Sequence, residues 1–411
     1  MYPIRPFAGV RPAPELASAV LAPPYDVLTT EEARSRAATR PWDFLHVSRP
    51  EIDLPADTDP YADAVYVQGR DRFLRMIRED VLRPDNEPCY YVYRLTMGTH
   101  TQTGVVATAR LVAYEDGRIR PHELTRPQKE ADRTRHIDIL NAQTGPVALT
   151  YRQRQEIDAL VESMTQGNAA IDTVVDDGVR HSLWSTCDRR CLDTLGEAFA
   201  KVERFYIADG HHRAAAAARV AAARRAANHD RKGEQPWDYL LCVLFPDKEM
   251  KIFEYNRVVK DLNGLTRDQF LIKLTRWFAV EPVGAPVQPQ QAREFGMYLK
   301  GQWYRLELNE AVSAAAAQHL DVNLLGDHII EPVLGIGDPR RDTRIEFVGG
   351  IRGLAELERR VHAEQTAVAF SLYPTSLADL MATVDAGEVM PPKSTWFEPK
   401  LADGLVCYTF D

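Results

Sequence analysis

The sequence predicts an α/β fold in which mixed sheets and helices interleave along the chain. Short apolar or alternating runs such as YYVYRLTM, RFYIAD and DYLLCVLFPD have strand length, and stretches of helical period such as RRCLDTLGEAFAKV lie between them. Gly, Pro or Asp-Gly marks many of the joins. With 411 residues, 45% of them hydrophobic and 27% charged, the chain can bury two or three cores at roughly 150 residues per domain. The changes of character place boundaries near 150 and 265. They divide an N-terminal α/β region (1–150) from a middle segment (151–265) and a C-terminal α/β region (266–411).

The elements follow in order. The first thirty or so residues are proline-rich and extended. Thr29 or Thr30 then caps a helix whose first turn carries Glu31 and Glu32. PWDFLHV reads as a short apolar strand running into a proline-marked loop, and 61–82 has helical spacing. YYVYRLTMG and GVVATARLVAYEDGRI are two strands, the second closed by Glu115-Asp116-Gly117. Beyond a charged stretch, RQEIDALVESMTQG is a helix, IDTVVDD and HSLWST are strands, and RRCLDTLGEAFAKV is an amphipathic helix. RFYIAD is a strand that runs into an alanine-rich helix, and DYLLCVLFPD and KIFEYNRVVKDL are two further strands. After Asn263, TRDQFLIKLTRWF is helical, GQWYRLEL a strand and AVSAAAAQHLDVNLLGDHII a longer helix. The tail alternates again through RIEFVGG, GLAELERRVHAE, AVAFSLYP and SLADLMATVDAGE.

Composition excludes several function classes. A net charge of −9 opposes bulk affinity for nucleic acid, and no basic-aromatic stripe offers a stacking platform. No apolar run approaches the ~18 residues of a membrane span, and MYPIRPFAGVRPAPELA lacks the layout of a signal peptide. The expected location is cytoplasmic. The five cysteines are expected to be ordinary thiols, since Cys187 and Cys191 have no second pair to complete a zinc site. No metal ligand set is predicted.

Three polar clusters stand at element ends. In the first, Asp209-Gly210-His211-His212-Arg213 sits where a strand hands over to a helix. Helix N-termini present unpaired N–H groups to anions, Gly210 permits close approach, and Arg213 adds a charged donor. Adjacent histidines diverge by ~100° on a helix, which disfavours His211 and His212 as joint metal ligands. In the second cluster, HELTRPQKEADRTRH, a helix from Pro127 puts Lys129 and Arg133 on one face and Asp132 and His136 on another. Glu123 is the first candidate general base and Asp209 the second. The third, MPPKSTWFEPK, offers Lys393, Ser394 and Lys400 to a phosphate or carboxylate but lacks the glycines of a P-loop. GDPRRDTR reads as a surface salt-bridge loop, and PPYDV as a turn in which Asp26 could face inward.

The run Asp209-Gly210-His211-His212-Arg213 resembles the D-G-H-H-R signature of the ParB/sulfiredoxin-like superfamily, which includes free-serine kinases and CTP-binding partition proteins. That resemblance implies a ParB/sulfiredoxin-like core over the middle segment, with additional N- and C-terminal α/β regions. PPYDV, NRVVKDL, DPRRDTRIEFVGGIRG, AVAFSLYPTS and MPPKSTWFEPKL together are similar to the bacterial family catalogued as domain of unknown function 1015, across nearly the whole chain. The resemblances imply a link to serine metabolism. The expected function is a nucleotide-dependent phosphotransferase using Mg²⁺ with ATP or ADP on a small hydroxyl metabolite, serine or phosphoserine favoured. A nucleotide sensor without turnover and a phosphoserine phosphatase are the alternatives. The expected partners are the nucleotide and the small substrate, and a homo-oligomer is left open.

Overall fold

The computed structural model describes residues 2–228, 231–309, 319–363 and 366–410. The chain divides into two units, Met1–Met250 with Pro399–Asp411, and Lys251–Glu398. It is an α/β protein throughout, as expected.

The first unit is built on a nine-stranded mixed sheet. Its strands in chain order are β1 (Ile4–Arg5), β2 (Tyr90–Met97), β3 (His100–Arg110), β4 (Ile119–Arg120), β5 (Val147–Tyr151), β6 (Ile171–Val174), β7 (Arg180–Thr186), β8 (Phe205–Asp209) and β9 (Tyr239–Pro246). They are ordered β4-β8-β5-β9-β3-β2-β7-β6, with β1 added along β3. Two residues, Gly98 and Thr99, close the β2–β3 hairpin, with Gly98 at φ +58°. β9 runs antiparallel to β3 and parallel to β5, and both its faces are buried, which explains its unbroken apolar run. Strands from either side of residue 150 therefore share one sheet. The break lies instead at Lys251, with a return at Pro399.

The framing helices are α1 (Asp63–Arg78), α2 (Pro127–Leu140), α3 (Gln155–Met164), α4 (Arg189–Ala200) and α5 (His211–Ala227). Near the N-terminus, Thr29 caps the helix Thr30–Ala37 in a reciprocal box with Glu32. The strand expected at PWDFLHV is not formed. Asp43 Oδ1 accepts from the Leu45 N–H at 3.0 Å, and the chain makes a helical turn over Leu45–Ser48 and a 3₁₀ turn from Pro50. Phe44, Leu45 and Val47 are all buried, so the segment has no polar side from which its period could be read.

Cys89 and Cys187 form a disulfide, against the expectation of ordinary thiols. Register explains it. Tyr90 of β2 pairs with Thr186 of β7, so the next position along brings Cys89 opposite Cys187 although 98 residues separate them. Cys191, Cys242 and Cys407 are free thiols.

The second unit carries a six-stranded antiparallel sheet of β10 (Tyr255–Val259), β11 (Phe278–Val283), β12 (Glu294–Leu299), β13 (Gln302–Leu308), β14 (Ile345–Gly349) and β15 (Val368–Leu372). Their order is β11-β13-β12-β15-β10-β14. The helix Arg267–Leu274 buries Phe270 and Leu274 among Phe278, Phe295, Met297 and Phe370. Much of the expected helix AVSAAAAQHLDVNLLGDHII falls on 310–318, outside the described residues. Its second half is helical over Asp321–Leu325 and widens into a π turn over Gly326–Ile330. Among the described residues no helix is long and apolar enough to cross a membrane.

Joining two segments 98 residues apart removes chain entropy from the unfolded state. Replacing both Cys89 and Cys187 with serine should lower unfolding free energy by about 2–4 kcal/mol, read as a shifted denaturant midpoint. A midpoint that matches the oxidised native protein would show that the cross-link contributes nothing.

Candidate functional site

The site forms where β8 gives way to α5. The ladder between β8 and β5 shifts register between Ile207 and Asp209, a bulge that ends the strand. Gly210 follows with φ +93°, a left-handed conformation that suits glycine, and a Cβ there would lie 3.3 Å from Val147 Cα. Glycine supplies no capping side chain, so α5 begins without a side-chain cap. Small residues let α5 approach its neighbours, since Ala214, Ala216, Ala217 and Ala221 are all buried. It packs against α2, where Arg219 pairs with Glu130 at 3.2 Å and Arg224 with Asp138 at 2.8 Å.

Asp209 accepts from the Gly210 N–H at 2.8 Å and from Lys400 Nζ at 2.8 Å. Its side chain keeps 46% exposure, yet the site around it is crowded. Desolvation works against the charge, but Lys400 and the Gly210 N–H overcome it and hold the carboxyl down to about 2. Asp209 is therefore a fixed anion at neutral pH and a poor proton acceptor.

His122 enters from the loop before α2. Its Nδ1 lies 2.7 Å from the Ile207 carbonyl, which can only accept, so Nδ1 carries the proton. Burial pushes this imidazole down to about 4, leaving it neutral at pH 7. The rings of His122 and His211 meet edge to face, 4.4 Å between centroids. His212 points elsewhere, its Nε2 accepting from the Arg126 N–H at 3.0 Å. The two adjacent histidines thus diverge, and His122 takes the place of His212 beside His211. His122, Glu123 and His211 each present one ligand atom, all within 4.8 Å of one another. A set of two imidazoles and one carboxylate was not foreseen from sequence, because its members lie 88 residues apart. Such a set suits Zn²⁺, Mn²⁺ or Fe²⁺ better than Mg²⁺, which favours oxygen and water ligands.

Arg213 turns inward rather than toward an open anion site. Its NH2 donates to both oxygens of Asp403, at 2.8 and 2.9 Å, with side-chain exposures of 14% and 2%. A Cβ on Gly145 would collide with this pair, so only glycine leaves room for it. Two guanidinium groups lie over the Tyr25 ring, Arg133 at 4.2 Å and Arg213 at 5.2 Å from its centroid. Within PPYDV it is Tyr25 that is buried, while Asp26 is exposed. Arg133 also bonds Asp132 at 3.0 Å and the Ser48 carbonyl at 3.3 Å. Buried His136 bonds the Val47 carbonyl at 2.8 Å.

The sequence-derived residues therefore separate into groups. Glu123, Asp209, Gly210, His211 and Lys400 gather at the start of α5, and Lys129 is exposed on the first turn of α2. Arg133 and Arg213 belong to the buried network beneath. The MPPKSTWFEPK motif crosses the unit boundary, with Lys400 on the first unit and Lys393 and Ser394 on the second. There Ser394 Oγ donates to the Pro391 carbonyl at 2.6 Å. Asp403, Gly145 and Tyr25 were missed, since no local pattern marks them as partners of residues so far away in the chain. In GDPRRDTR, Arg340 pairs with Asp338 at 2.9 Å and Arg344 with Asp342 at 2.8 Å, the surface salt-bridge loop expected.

Residues 4–323 match the family described as "Protein of unknown function (DUF1015)". No curated protein matches the chain. Among solved structures, a free serine kinase in complex with AMP is similar at 11% identity and a TM-score of 0.34, covering 71% of this chain and 86% of that one. SbnI with C-terminal truncation from Staphylococcus aureus is similar at 12% identity and 0.36, covering 72% and 85%. A conserved hypothetical protein from Pyrococcus furiosus is similar at 12% identity and 0.33, covering 72% and 93%.

Removing one partner of a buried pair strands the other charge. Arg213→Met should therefore destabilise the protein by about 3–5 kcal/mol, and Arg213→Met/Asp403→Leu by clearly less, in a urea-unfolding cycle. Equal losses in the single and double variants would show that Asp403 does not depend on Arg213.

Proposed function

The chain belongs to the DUF1015 family, and from the geometry of its Asp209–Arg213 turn we propose that it is a nucleotide-dependent phosphotransferase acting on a small hydroxyl metabolite. The observation that carries this reading is the glycine-opened, uncapped start of α5, with Glu123 close beside His211 in its first turn. A helix N-terminus of this kind receives phosphate oxygens through its first N–H groups and its dipole. Lys400, held by Asp209, places positive charge beside the same turn, and Lys129 is exposed nearby in sequence to the base.

Glu123 is the general base of this proposal. Asp209 is ionised but too acidic to draw a proton from an alcohol, whereas Glu123 lies beside neutral His122. As Glu123 takes the hydroxyl proton, the substrate oxygen attacks the terminal phosphorus of ATP or ADP and the bond to the departing nucleotide breaks. Mg²⁺ brought in with the nucleotide would offset the negative charge of its phosphates. The D-G-H-H-R resemblance supports a ParB/sulfiredoxin-like core and makes serine the favoured acceptor, with phosphoserine the substrate if the protein works as a phosphatase. Both would be cytoplasmic metabolites.

A sensor without turnover is the second reading. It is favoured by the two ion pairs at the turn, Asp209–Lys400 and Arg213–Asp403, which tie it to the C-terminal segment. A phosphate competing with Asp209 for Lys400 would loosen that segment.

Phosphorus NMR of the protein with Mg²⁺, serine and either ATP or ADP separates these readings. The enzyme should yield phosphoserine, and Glu123→Gln should lower the rate by about 100-fold or more while keeping the nucleotide-induced rise in Tm. Stabilisation without transfer would favour the sensor, and no response to any nucleotide would remove both.

A further inference from the structure

The second unit contains a buried cation that none of this chemistry uses. Arg257 lies on β10, 5% exposed, beside a cavity of about 220 Å³. Its guanidinium donates to the carbonyl oxygens of Tyr255 and, at 2.9 Å, Lys393, and it faces the Phe347 ring 5.1 Å away. Among the described residues no carboxylate pairs with it. Burial pulls its pKa down to about 10, which still leaves it charged at pH 7. A buried charge without a counter-ion is costly, and guanidinium groups usually meet carboxylate or phosphate in such places.

The remaining walls describe the ligand. Leu325, Ile330, Ile336, Ile345 and Pro392 make the cavity largely apolar. Asn323 also lines it, and its Oδ1 is a buried acceptor with no hydrogen-bond donor among the described residues. Asp327 and Glu331 line it too but are exposed, which places them at its mouth. A donor for an anion at the buried end, an orphan acceptor, and acids at the mouth match a zwitterion with a short apolar side chain. The volume lies below the ~300–1,000 Å³ of sites for drug-sized ligands, so the ligand is small. The acids at the mouth disfavour a phosphate dianion.

We propose that this cavity binds a small apolar α-amino acid, with its carboxylate on Arg257 and its ammonium toward Asn323 and the acids at the mouth. The MPPKST turn, whose Lys393 carbonyl holds the guanidinium and whose two prolines line the cavity, serves this second site. The site is independent of the phosphoryl-transfer reading, since all its residues lie in Lys251–Glu398.

The test is calorimetric titration of the full-length protein with L-valine, isovalerate, isobutylamine and inorganic phosphate. L-valine should saturate the site, isovalerate should bind about tenfold more weakly, and isobutylamine and phosphate should give no saturation up to about 10 mM. Arg257→Met should weaken valine at least about tenfold. Gly326 lines the cavity, and a Cβ there meets no atom within 4 Å, so Gly326→Phe should place a ring in the space and abolish binding. Both variants should keep the native response to nucleotide. Valine binding that survives either substitution, phosphate saturating in preference, or no saturation by valine would overturn the proposal.

Discussion

The buried ion pair between Arg213 and Asp403 is the constraint on which the site of the first unit depends. It fastens the first turn of α5 to a segment 190 residues further along the chain. That segment also pairs with the N-terminus, where Asp403 N donates to the Ala22 carbonyl and Ala22 N to the Asp403 carbonyl. Once Asp403 is fixed, Lys400 lies within reach of Asp209. Burial pushes the Asp403 carboxyl up, and the attraction of Arg213 opposes it. A pair this dry adds little net stability over apolar side chains of the same shape, but either charge alone would be very unfavourable. Its value is in specifying one arrangement of distant segments.

Tyr25 extends the same arrangement. The guanidinium groups of Arg133 and Arg213 both lie over its ring, and each cation meets a carboxylate as well. Pro23 and Pro24 just before it limit the ways PPYDV can fold, which suits a ring that must be held against two cations. α2 and α5 are joined by the Arg219 and Arg224 bridges and through the contacts of Arg133 and Arg213 with Tyr25.

At the start of α5, neighbouring groups are shifted in opposite directions. Lysine and a backbone N–H keep Asp209 ionised, while burial keeps His122 uncharged. The bulge before Gly210 and the left-handed glycine itself place these groups where the sheet ends.

By itself the sequence determined the α/β alternation, the capped helix at Thr29, the helix from Pro127 and the strand–glycine–helix turn at Asp209–Arg213. Each of these is a local matter of period, cap or backbone freedom within about a dozen residues. It also brought forward Glu123, Asp209 and Lys400, because charged residues at element ends stand out from an apolar pattern. What Arg213 bonds, which histidine joins His211, and that Cys89 meets Cys187 were decided only by tertiary structure. Those pairings depend on strand register and on chain segments that meet across 89 to 190 positions, and no local pattern encodes them. Arg213 is the clearest case. Its position after Gly210 suggested an anion ligand, and the anion it meets is a carboxylate from the far end of the same chain.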